Sequence, residues 1–351
     1  MFLYDHDAIQ AINSNFITIG DFEIKKYAMC IMFGALLAFI FGLRWAKRLG
    51  IKEDVIYTGF AWGLIVGVLG ARTFYCVFDD FNKVITKPWT IITEFRNGGL
   101  AISGAIISVA IYAVIYCRIV HINPIYIGEL VAPGFLIGQI CGRWGNFFNQ
   151  EAHGGLVPGA TLDAQREWLW FLPKFIKDNM YISNLSSAAP VVGYYQPTFL
   201  YESVLNLIGL LLILALRKWW KKYRLGDALF IYLMWYGCVR FNIEIMRTDA
   251  QTIGNSSIKV VQVLCIFAML IGLVFFILRH KFHWFDQPWI NADPEKVNNS
   301  FGKAKVVNEK NDSNANDSKE SMDANDSNKV IADNVDNASK EANGSSEPGK
   351  E

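Results

Sequence analysis

The stretch PIYIGELVAPGFLIGQICGRWGNFFNQEAHGG occupies residues 124–155, and its two halves differ sharply in polarity. The first half, residues 124–141, is an apolar run that contains one acidic residue, Glu129. The second half, residues 142–155, places an arginine, two asparagines, a glutamine and a glutamate between glycines. A membrane span that serves only as an anchor has no use for these side chains. The stretch therefore predicts a polar site at the mouth of a membrane span.

The composition of the whole chain is that of a polytopic membrane protein. Of its 351 residues, 52% are hydrophobic and 14% are aromatic, which is too apolar for a soluble enzyme. The net charge of +1 indicates no polyanionic partner, and we expect no nucleic acid. The six cysteines are scattered, mostly within apolar runs, and show no CxxC spacing. We expect them to be buried hydrophobic side chains, and we expect neither a metal nor a cofactor.

Seven apolar segments are candidates for membrane spans. They lie near residues 27–44, 55–77, 98–117, 125–142, 199–216, 227–245 and 259–279. Several are shorter than the roughly 20 residues needed to cross a hydrocarbon core about 30 Å thick. They become long enough only by including an ionisable residue: Arg72, Glu129, Glu202 or Arg240. Such residues must face protein or a wet cavity, because charge facing lipid is costly.

The basic residues predict the orientation of the chain. RWAKRLGIK (44–52), RKWWKKYR (217–224) and RHK (279–281) follow the first, fifth and seventh segments. Because positive loops stay cytoplasmic, we expect the N-terminus outside and the C-terminus inside. A long loop, residues 143–198, then lies on the outer face. Its Trp, Phe and Tyr residues suit either a plain aromatic belt or an interfacial arm above a site.

The C-terminal part of the chain differs from the rest. Residues 291–351 carry 13 acidic and 8 basic side chains, a net charge of −5, and their only aromatic residue is Phe301. Such a segment buries too little apolar area to offset the entropy of ordering. We therefore expect a membrane domain over residues 1–285 and a disordered, low-complexity cytoplasmic tail over residues 286–351.

Four polar clusters fall at the predicted outer ends of the spans. They are GARTFY with Arg72, the stretch after Gly142 with Arg143, QPTFLYES with Glu202, and YGCVRFNIEIMRTD with Arg240. All four converge on the outer half of the membrane. In a continuous helix, Arg240, Glu244 and Arg247 share one face.

This excess of arginine requires anionic partners. Glu151, Glu202 and Glu244 supply some of them, which leaves two interpretations. One is a buried ion-pair network that locks helix packing, although the desolvation of such networks makes them weak stabilisers. The other is a site for an anionic head group, since guanidinium binds phosphate bidentately and stays charged when dehydrated. We favour the second, with the site open to phospholipid from the outer leaflet.

Three classes of protein fit a lipid site of this kind: an enzyme acting on lipid head groups, a lipid or anion transporter, and a non-catalytic helix bundle. The absence of an obvious inverted repeat of broken helices disfavours the transporter. A transporter is active without an acceptor substrate, whereas a transferase is not. A non-catalytic bundle tolerates the loss of Arg143.

The clusters resemble the motifs of bacterial prolipoprotein diacylglyceryl transferases. GRWGNFFNQEAHG is similar to the family signature. NGGLAISG before it, and QPTFLYE and YGCVRFNIEIMRTD after it, fall in the family's order and spacing, and the resemblance covers about residues 16–280. The resemblance implies a seven-span bundle in the bacterial plasma membrane with an outward-facing active site. It implies transfer of diacylglyceryl from phosphatidylglycerol to the lipobox cysteine of a prolipoprotein. A thioether forms and glycerol 1-phosphate is released.

The resemblance also implies roles for individual residues. Arg143 grips the phosphatidylglycerol head group, and Arg240 is essential for transfer. Asn146 hydrogen-bonds glycerol hydroxyls or phosphate oxygens, and Glu151 orients an arginine or takes part in proton transfer. Tyr27 stands where the family has an important tyrosine at the start of the first span.

The expected lipid site further includes Arg72, Ser103, Glu202, Glu244 and Arg247. Two positions depart from the family pattern, because relatives carry histidine or tyrosine at Ser103 and commonly histidine at Gln196. Serine alone cannot deprotonate a thiol. The proton acceptor is therefore open between Glu151, Glu202 and water, with His153 as a further candidate. Alternatively, a nearby arginine lowers the pKa of the thiol.

Overall fold

The computed structural model describes residues 15–19, 22–79, 101–186, 188–248, 259–284 and 287–300, together with Ile12, Thr86, Trp89 and Gly99. The chain divides into one unit from Met1 to Gly302 and another from Lys303 to Glu351. The first unit holds every described residue. The disorder predicted for residues 301–351 lies outside the described part of the chain.

Helices make up most of the described structure. In chain order they are α1 (Lys26–Arg48), α2 (Glu53–Asp79), α3 (Ile102–Ile119), α4 (Pro124–Asn149), α5 (Leu162–Trp168), α6 (Lys174–Asn179), α7 (Thr198–Trp219), α8 (Asp227–Met246), α9 (Val260–Phe282) and α10 (Pro294–Asn298). Two antiparallel pairs of short strands accompany them, β1 (Asn15–Ile19) with β2 (Phe22–Lys25), and β3 (Tyr181–Ile182) with β4 (Gly193–Tyr194). The described part of the chain is therefore mostly helical, and within it these short strands depart from the all-α prediction.

Among the residues that the structure describes, six helices are long and apolar enough to cross a membrane: α1, α2, α4, α7, α8 and α9. The protein is thus a polytopic membrane protein. The third predicted span, residues 98–117, corresponds to α3, an apolar helix of 18 residues. At 1.5 Å per residue α3 extends about 27 Å, slightly less than a hydrocarbon core of about 30 Å.

Helix α4 is the centre of the bundle, since α1, α7 and α8 all pack on it, while α2 pairs with α3 and α8 with α9. The contact between α1 and α4 depends on Gly34. A Cβ atom there would lie 2.8 Å from the Cβ of Cys141, so only glycine lets the two helices come so close.

The ionisable residues within the predicted spans face protein, as expected. The exposed fractions are 5% for Arg72, 0% for Glu129, 1% for Glu202 and 9% for Arg240. None of the four therefore carries its charge into lipid.

Glu129 organises the end of the bundle at which α4 begins, and we call it the inner end after the predicted orientation. Its Oε1 accepts hydrogen bonds from Arg217 Nε at 2.7 Å and from the Tyr223 hydroxyl at 2.9 Å. Its Oε2 accepts from the backbone N–H groups of Gly226 at 2.8 Å and Ala228 at 3.0 Å. Burial, and then the charge of Glu129, raise the pKa of Tyr223 well above its ordinary value, so the phenol stays protonated and donates. The cluster joins α4 to α7 and to the start of α8.

The segment after α9 packs on the membrane domain, in contrast to the tail predicted from residue 286. Trp289 is 3% exposed and Val297 is fully buried. Asn298 Nδ2 donates to the backbone oxygen of Gly50 at 3.0 Å. The ordered part of the chain therefore extends at least to residue 300, because Trp289 and Val297 supply apolar area that the polar composition of the tail conceals.

The loop between α4 and α7, residues 150–197, is the one predicted to be external, and we call it the external region after that prediction. Helix α4 continues through Asn149, so the signature arginine and asparagines stand on the last turns of a helix. Gln150 ends that helix in a left-handed conformation, with φ of 51°. Beyond it, α5, α6 and the β3–β4 pair enclose a small core that includes Leu169, Met180 and Tyr194. Trp170 projects from this region with 78% of its surface exposed.

Candidate active site

A single carboxylate links the arginines of two signature motifs. Glu202, one turn into α7 and 1% exposed, lies with its Oε1 2.8 Å from Arg143 Nη2. Its Oε2 lies 3.2 Å from Arg240 Nη1. Arg143 comes from α4 and Arg240 from α8, so Glu202 joins three helices at one point.

The second carboxylate of the site stands on α8 itself. Glu244 Oε2 lies 2.7 Å from Arg240 Nη2, one helical turn away on the same face. At the end of α8, Lys259 Nζ donates to the backbone oxygens of Glu244 and, at 3.0 Å, of Arg247. Lys259 thereby satisfies carbonyl groups that a helix end leaves without a partner.

Arg143 connects to Glu151 through an amide. Its Nη1 donates to Asn146 Oδ1 at 3.1 Å, and Asn146 Nδ2 donates to Glu151 Oε1 at 2.9 Å. Asn149 Nδ2 reaches the same carboxylate oxygen at 3.3 Å. Glu151 is exposed, so it forms the solvent-facing end of the chain of contacts.

These contacts define the arginine–glutamate cluster, which consists of Arg143, Asn146, Glu151, Glu202, Arg240 and Glu244. Tyr27, at the start of α1, packs beside it with its ring against Gly145. A Cβ atom at Gly145 would lie 2.6 Å from Tyr27 Cδ2, so the ring fits there only because the residue is glycine. The structure thus brings together seven of the residues predicted from sequence.

The cluster retains capacity to bind an anion although both arginines are paired. Each guanidinium carries five N–H groups. Arg143 contacts Glu202 and Asn146, and Arg240 contacts Glu202 and Glu244. Their side chains remain 18% and 11% exposed, respectively. The remaining N–H groups suit the oxygens of a phosphate.

Three predicted site residues lie in other surroundings. Arg72, on α2, donates from Nη1 to the backbone oxygen of Gly99 at 3.2 Å. Ser103 is exposed near the start of α3. Arg247 does not share a helix face with Arg240 as predicted, because α8 ends at Met246 and Arg247 is extended, forming a β-bridge with Gly154.

The candidate base His153 lies in the external region. It is 5% exposed, its Nδ1 is 3.0 Å from the backbone oxygen of Gly154, and its ring centroid is 4.5 Å from that of Tyr195. Gln196, where relatives carry histidine, accepts from the Gly154 N–H through its backbone oxygen at 2.9 Å.

Sequence reasoning overlooked Lys259. The sequence did mark it, since Lys259 is a lone lysine at the predicted outer start of a span, where the distribution of positive charge predicts none. Among the described residues, no group of three or more His, Cys, Asp and Glu side chains is placed to hold a metal ion. The six cysteines are free thiols.

Comparison with known proteins agrees with this arrangement of motifs. The family model described as prolipoprotein diacylglyceryl transferase matches residues 14–278. The chain belongs to the prolipoprotein diacylglyceryl transferase family. The matched range contains every residue of the arginine–glutamate cluster.

Curated members of the prolipoprotein diacylglyceryl transferase family resemble the chain over most of its length. Three relatives share the name phosphatidylglycerol–prolipoprotein diacylglyceryl transferase. The one from Lactobacillus delbrueckii subsp. bulgaricus is 38% identical over 269 residues, 77% of this chain and 91% of the relative. That from Staphylococcus xylosus is 36% identical over 261 residues, 74% and 87% of the two chains. That from Streptococcus agalactiae serotype V is 38% identical over 270 residues, 77% and 97%. The protein is therefore a transferase of this family and a multi-pass membrane protein.

Proposed function

We propose that the protein transfers the diacylglyceryl group of phosphatidylglycerol to the lipobox cysteine of prolipoproteins. The product is a thioether, and glycerol 1-phosphate is released. The observation that carries the proposal is the pair of guanidinium groups, from α4 and α8, that Glu202 holds together inside a membrane protein. A site of this kind suits a phosphodiester drawn from the bilayer.

The reaction requires stabilisation of the negative charge that develops on the leaving phosphate. The thiolate sulfur attacks the carbon of the diacylglycerol moiety that is bonded to the phosphate oxygen. The carbon–oxygen bond breaks, and its electron pair leaves with the phosphate oxygen. Arg143 and Arg240 stabilise this growing negative charge where water is scarce and electrostatic interactions are strong.

The other members of the cluster position these two arginines. Glu202 and Glu244 form ion pairs with the two guanidinium groups and so keep them at the site. Asn146 bridges Arg143 to Glu151 and is within reach of phosphate or glycerol oxygens. Tyr27 closes the side facing α1. Arg72, Ser103 and Arg247 serve the wider lipid-binding surface.

The thiol proton goes to Glu151 in this mechanism. Ser103 cannot accept it alone, and Gln196 offers no basic nitrogen. Glu202 is 1% exposed and engaged by two guanidinium groups, whereas Glu151 is exposed. An exposed carboxylate can accept the proton and release it to water.

We infer that seven helices cross the plasma membrane of a bacterium, with the N-terminus outside and the C-terminus inside. The basic ends of α1, α7 and α9 lie at the end of the bundle that contains Glu129. Arg143 stands 14 residues further along α4, about 21 Å away, so the site faces outward if basic ends stay cytoplasmic.

A reconstituted reaction tests the function. The full-length protein is mixed with phosphatidylglycerol vesicles and a lipobox peptide, and the peptide mass is measured. We expect the peptide to gain one diacylglyceryl group, and glycerol phosphate to appear in equal amount. Matched reactions use a peptide with serine in place of the cysteine, and vesicles of phosphatidylethanolamine alone; neither should give product.

The same reaction separates the transporter alternative. A transporter moves lipid between leaflets without a cysteine-bearing peptide and leaves the peptide mass unchanged. Lipid movement without any thioether product would contradict the proposed function.

A further inference from the structure

Two amide side chains continue the arginine–glutamate cluster toward the membrane interior. Gln139 precedes Arg143 on α4 by four residues, and Asn206 follows Glu202 on α7 by four residues. Residues four apart lie on the same helix face. Both amides therefore lie one helical turn inward from the cluster, on the faces that carry Arg143 and Glu202.

Contacts between the helices place these amides at the same depth. Helices α4 and α7 run antiparallel, and Ser203 Oγ donates to the backbone oxygen of Ile140 at 3.2 Å. Asn206 is one turn further inward along α7, and Gln139 is next to Ile140 on α4. Gln139 Nε2 donates to the Tyr232 hydroxyl at 2.9 Å, so α8 also lines this level.

The two amides are incompletely satisfied by protein. Asn206 is fully buried, and in the described part of the structure neither its Oδ1 nor its Nδ2 has a hydrogen-bond partner. Gln139 Oε1 is likewise buried without a partner. Polar atoms left unpaired within a membrane helix bundle are costly. Amides that serve only to join helices pair with one another or with backbone.

Space is available along the same stretch of α4. Gly138 immediately precedes Gln139, and Gly142 immediately precedes Arg143. A Cβ atom added at either glycine would meet no other heavy atom within 4 Å. The surface of α4 is therefore open at two points, one next to Gln139 and one next to Arg143.

We propose that Gln139 and Asn206 form a hydroxyl-binding subsite that recognises the glycerol head group of the donor lipid. A hydroxyl group both donates and accepts, so the diol of that head group can satisfy the acceptor atoms of both residues and the Asn206 N–H group. When Arg143 holds the phosphate and the glycerol head group points inward to this subsite, the bond between the phosphate and the diacylglycerol lies on another side of the phosphate. A thiol can reach the diacylglycerol carbon there. The inference rests on the proposed function and adds a basis for lipid selection.

Water is the other source of hydroxyl groups, and the choice of donor lipid distinguishes the two. Phosphatidylethanol has the same charge as phosphatidylglycerol but no hydroxyl in its head group. We expect the full-length wild-type protein to favour phosphatidylglycerol in kcat/KM by about 10-fold or more, since one net hydrogen bond corresponds to roughly that factor. Asn206→Leu and Gln139→Met should each lower kcat/KM for phosphatidylglycerol about 10-fold and leave that for phosphatidylethanol within about 2-fold.

Asn242→Leu is the matched control, because Asn242 is an exposed asparagine on α8 whose Nδ2 donates to Cys238 of its own helix. It should keep the wild-type preference. Equal losses with both donors in the two subsite variants would mean that the amides hold water or support packing, and would overturn the proposal. So would unchanged kinetics, or a wild-type protein without preference.

The two subsite variants are independent, and unfolding temperatures identify any variant that fails to fold. If Asn206→Leu does not accumulate, the donor preference of Gln139→Met decides the matter in the same way. A wild-type protein inert with both donors would refute the proposed function itself, which is distinguishable from a wild-type protein that transfers from both donors at equal rates.

Discussion

At the scale of single residues, the site depends on Glu202. It is the only carboxylate that contacts the arginines of both signature motifs among the described residues. In a site of low dielectric, two guanidinium groups repel each other strongly unless an anion lies between them. Glu202 provides that anion, and in the proposed mechanism it keeps both groups close enough to hold one phosphate.

Replacing Glu202 with glutamine tests this role. Glu202→Gln keeps the shape but places an NH2 group against a guanidinium, and we expect transfer to fall at least about 100-fold, the effect of losing one well-placed electrostatic contact. The initial rate of peptide labelling measures it. Glu167→Gln, an exposed carboxylate of the external region, should keep the wild-type rate. Equal rates for the two variants would show that Glu202 has no part in positioning the arginines.

Gly145 offers a second test at this scale, since its missing side chain admits the Tyr27 ring. Gly145→Ala should displace that ring and reduce transfer about 10-fold or more, as expected when a group beside a reacting centre is misplaced. Gly42→Ala on α1 is the matched control, because a Cβ atom there meets nothing within 4 Å. The same assay checks both, and a fully active Gly145→Ala protein would contradict a role for Tyr27 packing.

The sequence predicted the residues that the structure brings together in the arginine–glutamate cluster, but not the contacts between them. Arginine and glutamate within apolar runs are conspicuous because lipid excludes them, so Arg143, Glu202 and Arg240 were predictable. The indirect contact between Glu151 and Arg143 was not, since it depends on Asn146 standing one turn from Arg143 on a helix that continues past the apolar run. Arg247 was misplaced because helix ends depend on tertiary contacts that periodicity does not reveal.

At the scale of elements, the inner end of the bundle is held by the buried pair of Glu129 and Arg217. Glu129→Gln would leave the Arg217 charge buried without its partner, and we expect a loss of about 3 kcal/mol in the free energy of unfolding. Unfolding in increasing sodium dodecyl sulfate measures it. Glu53→Gln removes an exposed partner of Lys47 and should leave the unfolding curve unchanged. A Glu129→Gln protein as stable as wild type would show that the pair does not hold the helices.

The elements themselves were largely predictable from hydropathy. Seven apolar segments were expected, and each coincides with a helix in the structure. The ends were less predictable: α4 runs two turns past the apolar segment because polar residues there face the protein interior and the external region. The small strands and the fold of the external region could not be inferred, since their short segments carry no strong periodicity.

At the scale of the whole molecule, the C-terminal segment divides into a packed part and a remainder. A chain that ends after Ser300 keeps Trp289 and Val297 and should have wild-type stability and activity. A chain that ends after Gln287 loses both buried side chains and should unfold more easily. Unfolding temperature and peptide labelling of the two truncated proteins check this. Equal stability of both would show that the segment contributes nothing to the bundle.

The central claim is that Arg143 and Arg240 jointly hold the lipid phosphate during transfer. The most direct measurement is the initial rate of peptide labelling with phosphatidylglycerol for Arg143→Gln, Arg240→Gln and, as control, Arg166→Gln, an arginine of the external region paired with Asp178. We predict a loss of at least about 100-fold for each of the first two, at unchanged protein level and unfolding temperature, and less than about 2-fold for the third. Labelling at the wild-type rate by either Arg143→Gln or Arg240→Gln would contradict the claim.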